Sequence, residues 1–177
     1  MKRNAWLLIL VVGLQVLWMV ATAMTKEHEL RTGDVVLLET MPVDPRDWLR
    51  GDYVTLNYAI SRLPARLFAG LLPAEKFQGK AVYVLLEKQG QFHHAVSASL
   101  DVLAPAKGQI MVRGTIEWAD SNRTSGDVRV HYGIERYYVP EGEGNLRGKV
   151  TVRAAVAKDG SVLIKELMLD GKPFKQP

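Results

Sequence analysis

The chain has no cysteine among its 177 residues, so disulfide bonds are excluded. A bacterial-type envelope protein folds without them, and the absence is therefore compatible with export. Histidine is also scarce. His93 and His94 are adjacent and should point to opposite faces of a strand, while His28 and His131 show no ligand-like spacing with them. His94 is in step with Phe92, Val96 and Ala98, and we expect it to be a half-buried, hydrogen-bonded histidine. We predict neither a metal site nor a cofactor.

Blocks of basic residues are absent as well. Lys2 and Arg3 precede the first apolar run, and without them the 23 basic residues fall to 21, against 19 acidic residues. These charges are spread along the chain, and no Lys/Arg cluster with interleaved aromatics suggests a nucleic-acid surface. We therefore expect no nucleic-acid partner. The 47% hydrophobic and 24% charged content is typical of a globular protein. The length fits one domain with a small appendage.

Residues 5–24 form a run without a single charge, which is about the length that a membrane-spanning helix needs. Lys2 and Arg3 should remain in the cytoplasm. We therefore predict a single-pass protein of the inner (cytoplasmic) membrane, with residues 1–24 as cytoplasmic tip and anchor. Residues 25–177 would form a domain in the periplasm or outside the cell. The alternative is a signal peptide cleaved after Ala23, because Ala21-Thr22-Ala23 has the small-x-small form of a cleavage site.

The rest of the chain is rich in strand patterns and turn signals. We predict about eight short strands, at Asp34–Thr40, Gly51–Ile60, Ala81–Glu87, Gln91–Ser99, Ile110–Trp118, Val128–Ile134, Val150–Val156 and Ser161–Leu169. Lys88-Gln89-Gly90 and Asp159-Gly160 are hairpin signals, and Pro64–Leu71 is a candidate short helix. This pattern predicts an all-β fold, a sandwich or a partly open barrel, after one N-terminal transmembrane helix.

Alternation within Gly51–Ile60 separates two faces. Asp52, Val54, Leu56, Tyr58 and Ile60 share one of them, and Tyr53, Thr55 and Asn57 share the other. Leu56 and Ile60 should face the core, and Tyr58 with them. Asp52 would lie at the rim of that face and pair with Arg46, Arg50 or Arg62, or contact a ligand.

The segment Gly51-Asp52-Tyr53-Val54-Thr55-Leu56-Asn57-Tyr58 resembles the signature of the GDYxxLxY protein family. Residues 39–47 and 132–144 resemble segments of the same family. Its members are bacterial proteins with one N-terminal membrane segment and an exported domain, and they are often encoded beside polytopic membrane proteins. The resemblance implies an accessory role beside an integral membrane protein. Residues 32–54 also resemble the β core of signal peptidases, but residues 24–31 lack the serine nucleophile that those enzymes require.

The candidate binding residues fall in two loops and the strands beside them: Asp47, Trp48, Arg50, Asp52 and Tyr53 in the first, and Glu135, Arg136, Tyr137, Glu141 and Glu143 in the second. Trp48 is a candidate anchor for a partner or for the lipid interface. Two carboxylates two residues apart, Glu141 and Glu143, could share a cation, but the loop lacks a calcium-binding pattern and fits a solvated loop better.

We predict a membrane-anchored binding or accessory domain that contacts an integral membrane protein through residues 44–53 and 137–145, with the bilayer around residues 5–24. There are two alternatives to this first function. The second is an envelope hydrolase acting on peptide or glycan, with Asp52, Glu135 or Glu141 as acid or base. The third is a free periplasmic ligand binder. The sequence contains no complete catalytic constellation, so we assign no catalytic residue, and it does not identify a small-molecule or glycan ligand.

Overall fold

The computed structural model describes residues 2–41, 53–68, 78–119, 126–138 and 148–174, and statements about the structure refer to these ranges. One helix, α1 (Lys2–Thr32), precedes twelve described strands. The strands are β1 (Asp34–Met41), β2 (Tyr53–Thr55), β3 (Asn57–Tyr58), β4 (Arg62–Pro64), β5 (Ala81–Gln89), β6 (Phe92–Ser99), β7 (Gln109–Ala119), β8 (Asp127–His131), β9 (Arg136–Tyr138), β10 (Val150–Val156), β11 (Val162–Leu169) and β12 (Lys172–Pro173). The predicted all-β fold with one N-terminal helix is confirmed.

The helix α1 is long and apolar enough to cross a membrane. Its apolar window lies within Trp6–Thr32, has a mean hydropathy of 2.3 and is not buried by any other part of the described chain. The helix does not end at Met24, where the apolar run ends. It continues through a charged segment in which Lys26 contacts Glu29 and Arg31 contacts Glu27, each at 2.7 Å.

Gly33 joins α1 to β1 without an intervening linker. Its N–H donates to the Glu29 carbonyl oxygen at 2.9 Å, which closes the last turn of the helix. A Cβ at this position would lie 2.7 Å from two backbone carbonyl oxygens, those of Glu29 and Val156. The end of the helix is therefore packed directly on β10, and only glycine fits at the junction.

The strands form two antiparallel five-stranded sheets and a small ribbon, which together make a nearly closed barrel. The sheet orders are β12-β11-β10-β1-β3 and β4-β8-β7-β5-β6, and the ribbon is β2-β9. The core lies inside, between the sheets, and includes Val36, Leu38, Val84, Val112 and Val152. The chain passes from one sheet to the other at β3–β4 through a 3-10 turn at Ala59–Ser61.

A histidine side chain bridges β6 and β1, which are packed together but do not pair as strands. The Leu37 N–H donates to Nδ1 of His93 at 3.1 Å, so that ring nitrogen carries no proton in the bonded state. Sequence alternation pointed to His94 as the hydrogen-bonded histidine, whereas the structure assigns this bond to His93. Burial lowers the pKa of His93, and the charges of Lys88 and His94 lower it further.

We expect the stability of the domain to decrease as the pH falls below about 6.5, the ordinary pKa of histidine. The folded pKa of His93 lies below the unfolded one, so the unfolded state binds more protons in the window between them. Above this window the His93 ring is neutral in both the folded and the unfolded chain, and its contribution to the stability of the domain is fully present. Urea unfolding of the full chain in micelles at a series of pH values measures the effect. The His93→Gln variant should lose this part of the pH dependence and His94→Gln should keep it; the reverse result would contradict the assignment.

Several predicted elements need correction. Gly51–Ile60 is not one strand, because β2 pairs with β9 while β3 pairs with β1, and Leu56 separates them. Only Ala65–Leu67 of the proposed helix at residues 64–71 is helical among the described residues, as a 3-10 turn. The hairpins at Gly90 and Gly160 are confirmed, and both glycines have positive φ.

Trp118 departs from strict alternation. The alternating pattern of Ile110–Trp118 predicts that Trp118 shares a face with Ile116, but the register of β7 on β8 shifts between these two residues. This β-bulge turns Trp118 outward, where it is 53% exposed, while Ile116 stays buried.

Candidate functional site

Two buried tyrosines hold the loop after β8 against the signature segment. The Tyr58 hydroxyl donates to the Ile134 carbonyl oxygen at 2.6 Å, and the Tyr132 hydroxyl donates to the Ile60 carbonyl oxygen at 2.9 Å. Each tyrosine therefore bonds the backbone two residues beyond the other tyrosine. Burial raises the pKa of both tyrosines, and the Glu135 charge raises it further, so both hydroxyls remain protonated donors. We call Tyr58, Ile60, Tyr132 and Ile134 the tyrosine clasp.

The signature leucine contributes to the same attachment. The Leu56 N–H donates to the Glu135 carbonyl oxygen at 2.7 Å, and the Leu56 side chain is buried in the core. The predicted inward face of this segment is confirmed for Val54, Leu56, Tyr58 and Ile60, which are all buried. The second half of the signature is thus a structural connection between residues 54–60 and 132–135.

The Glu135 carboxylate closes its own loop. One oxygen accepts the Tyr132 N–H at 2.5 Å, and the other accepts the Gly133 N–H at 2.9 Å. His131 Nε2 lies 3.1 Å from the second oxygen, and His131 Nδ1 accepts the Gly133 N–H at 3.2 Å. Both oxygens of Glu135 are thus used to satisfy backbone donors, an arrangement typical of a residue that shapes a turn.

The variant Glu135→Gln is expected to destabilise the domain by about 1 to 2 kcal/mol, because an amide has one acceptor oxygen and leaves one of the two N–H groups without it. Chemical unfolding of the full chain in micelles measures the change. Glu117→Gln is the matched control: this carboxylate is exposed and lies 3.4 Å from Arg129 in a surface pair, so its loss should cost at most about 0.5 kcal/mol. Equal losses in the two variants would refute the structural role of Glu135.

Three adjoining clefts lie on the outer side of the barrel, and all three are lined by Arg129. Their volumes are about 230, 190 and 190 Å³. We call this surface the Arg129 groove, and its other charged or strongly polar lining residues are Asn57, Ser61, Arg62, Glu117, Asp127, His131, Glu135 and Arg136. Met41 and Trp118 contribute exposed apolar surface.

The middle of the Arg129 groove is a row of three side chains on neighbouring strands. Arg62 of β4 is the register partner of Arg129 on β8, and Arg129 is in turn the register partner of Trp118 on β7. All three are exposed, with Arg62 72% and Arg129 48% accessible. We call them the Arg62–Arg129–Trp118 row.

The structure brings only part of the predicted set together. Glu135 and Arg136 line the Arg129 groove, whereas Tyr137 pairs with Val54 and packs against the core. The backbone of Tyr53 pairs with Tyr138 in the β2-β9 ribbon. The predictions for Asp47, Trp48, Arg50, Asp52, Glu141 and Glu143 lie outside the described residues, as does most of the predicted contact surface at 44–53 and 137–145. In the described ranges no group of three potential metal-ligating side chains occurs.

Sequence reasoning missed Arg62, Trp118 and Arg129 as members of one surface. They are far apart in sequence, and the row exists only through the pairing of β4, β8 and β7. A bulge displaces Trp118 from the face that simple alternation assigns to it. Trp118 fits the apolar alternation of Ile110–Trp118, so the sequence carried no signal of this displacement.

Comparison with known proteins identifies a family. The GDYXXLXY protein family matches residues 15–167, which include most of α1, the signature, the tyrosine clasp and the Arg129 groove. No curated protein and no solved structure matches the chain.

Proposed function

The chain belongs to the GDYXXLXY protein family, and from this premise we propose that it is a single-pass accessory subunit of an integral membrane protein. In this proposal α1 anchors the chain in the inner (cytoplasmic) membrane with its N-terminus in the cytoplasm. The β domain lies in the periplasm or outside the cell and binds an extracytoplasmic part of its partner. Lys2 and Arg3 before the apolar run support this orientation.

The observation that carries the proposal is the direct connection between the helix and the barrel. About 30 Å of hydrocarbon needs about 20 helical residues, so the eight residues Thr25–Thr32 extend the helix by about 12 Å beyond the apolar run. Gly33 then packs against Val156 without a linker. A freely tethered or released domain would gain nothing from such a junction. A domain that must meet a partner in the same membrane benefits, because little orientational freedom is lost on binding.

The exposed surface of α1 also supports the proposal. None of its apolar window is covered by the described domain, so this apolar part of the helix is available to lipid or to helices of another protein. The hydrolase hypothesis receives less support, because the carboxylate of Glu135 is already engaged by the backbone of its own loop. A hydrolytic activity on peptide or glycan that Glu135→Gln abolishes in a folded protein would favour the hydrolase instead.

The test is cross-linking of the tagged full chain in its native membranes, followed by purification in mild detergent and mass spectrometry. We expect a polytopic membrane protein to be enriched above an unrelated single-pass protein carrying the same tag. Failure to recover any such protein would contradict the proposal. Release of the chain by alkaline carbonate, together with a mature N-terminus at Met24, would support the free ligand binder.

A second variant tests the role of the rigid junction. Inserting a flexible segment of about ten Gly and Ser residues between Thr32 and Gly33 retains both anchor and domain but lets the domain rotate freely. Recovery of the partner should fall, while resistance to carbonate extraction should remain unchanged. Unchanged recovery would show that orientation of the domain does not contribute to binding.

A further inference from the structure

We propose that the Arg62–Arg129–Trp118 row, with Met41 beside it, is the surface that docks the membrane partner, and that it recognises a carboxylate side chain flanked by apolar residues. This inference rests on the proposed function and names the contact surface and the chemistry of the partner segment. The family signature does not contain any of these four residues.

The first argument is electrostatic. Arg62 and Arg129 are directly opposite each other on β4 and β8, an arrangement in which like charges repel. The carboxylates that offset them approach at 3.8 Å for Asp127 to Arg62 and 3.4 Å for Glu117 to Arg129, in exposed pairs that contribute little. In both pairs the closest nitrogen is Nε, on one side of the guanidinium. A carboxylate placed between the two guanidinium groups would offset their repulsion and accept paired N–H donors.

The second argument is the apolar surface beside the arginines. The bulge in β7 re-aims Trp118 from the core to the outer face, next to Arg129 in the register. Met41, 54% exposed, lies on the other side and lines a cleft with both arginines. Trp, Arg and Met are the residue types enriched at protein interfaces, and Trp and Arg dominate their binding energy.

The shape of the surface favours a protein segment over a small molecule. The two clefts lined by both arginines are about 190 Å³ each, below the size of a typical ligand pocket of about 300 to 1,000 Å³. A protein loop can cover the whole row and insert one acidic side chain between the arginines. The anchor α1 holds the domain beside the membrane, so this loop would belong to the extracytoplasmic side of a protein in the same bilayer.

Photo-crosslinking of the full chain in native membranes tests the occupant. A benzophenone amino acid at position 118 should form an adduct with a polytopic membrane protein, and the cross-linked peptide should contain Asp or Glu beside apolar residues. The matched position Lys165, exposed on β11 of the other sheet, should not form this adduct. An adduct with lipid or with a second copy of the chain would overturn the proposal, as would a cross-linked peptide without an acidic residue.

The variants Arg62→Ala and Arg129→Ala, combined, should lower the yield of that adduct about tenfold or more, as expected for the loss of interface hot spots. The control Arg153→Ala removes an arginine of similar exposure, 46%, which pairs with Glu166 at 3.2 Å in the other sheet, and should leave the yield unchanged. If the wild-type chain recovers its partner and the double variant recovers it equally well, the docking surface is wrong while the accessory function stands. If the wild-type chain recovers no membrane protein, both proposals fail.

Discussion

Replacing Tyr58 by alanine is expected to destabilise the β domain by about 3 to 5 kcal/mol, the range for truncating a large buried aromatic side chain. Tyr58 is 2% exposed and is among the largest fully buried side chains of the core. The substitution removes its ring and leaves the Ile134 carbonyl without the hydroxyl donor that lies 2.6 Å away. Because a domain is typically stable by about 5 to 15 kcal/mol, a loss of this size brings it close to unfolding.

The hydroxyl can be separated from the ring with Tyr58→Phe, which should cost about 1 to 2 kcal/mol because one buried carbonyl is left unsatisfied. Tyr132→Phe should behave alike, since its hydroxyl bonds the Ile60 carbonyl at 2.9 Å. Tyr83→Phe, at a half-buried tyrosine of β5, serves as the control and should change stability by less than about 0.5 kcal/mol. Urea unfolding of each full-length variant in micelles gives these values, and a Tyr58→Phe variant as stable as Tyr83→Phe would rule out the clasp as a stabilising contact.

The second large effect is expected at the junction between helix and barrel. Gly33→Ala should destabilise the domain by about 2 to 3 kcal/mol, the upper part of the range for overpacking. The added Cβ would lie 2.7 Å from the carbonyl oxygens of Glu29 and Val156, and both are backbone atoms that no side-chain rotation can move aside. The end of α1 or the end of β10 would therefore have to shift.

Gly13→Ala is the matched control for Gly33→Ala. Gly13 lies within the apolar part of α1, and a Cβ there meets no atom within 4 Å. Alanine is also the better helix former, so this variant should be neutral or slightly more stable. Alkaline carbonate extraction should show both variants inserted in the membrane, and unfolding in micelles should separate them. Equal stability of the two variants would show that the junction tolerates a side chain and that the helix is not packed on the barrel as described.

Local patterns in the sequence predicted those parts of the fold that depend on neighbouring residues. The charge-free run predicted a helix able to span a membrane, and Lys88-Gln89-Gly90 predicted a hairpin that the structure contains. Alternation predicted that Leu56 and Tyr58 face the core, since the side-chain period of a strand is two wherever no bulge intervenes.

Alternation failed where the backbone departs from a regular strand. Trp118 follows a β-bulge, which shifts all later side chains of β7 by one position relative to β8.

The residue type of Glu135 alone predicts a candidate acid or ligand contact. Its carboxylate instead accepts the N–H groups of Tyr132 and Gly133, a local arrangement that depends on the exact path of the turn.

The sequence by itself determined the family, the apolar helix, the all-β class and the inward face of the signature, because each depends on residue spacing along one segment. Only the tertiary structure decided that Tyr58 and Tyr132 each bond the backbone two residues beyond the other, that His93 bridges β1 and β6, and that Arg62, Arg129 and Trp118 form one row. Most of these contacts join residues more than fifty positions apart. Their formation depends on strand order, register and a single bulge, and these follow from packing of the whole barrel.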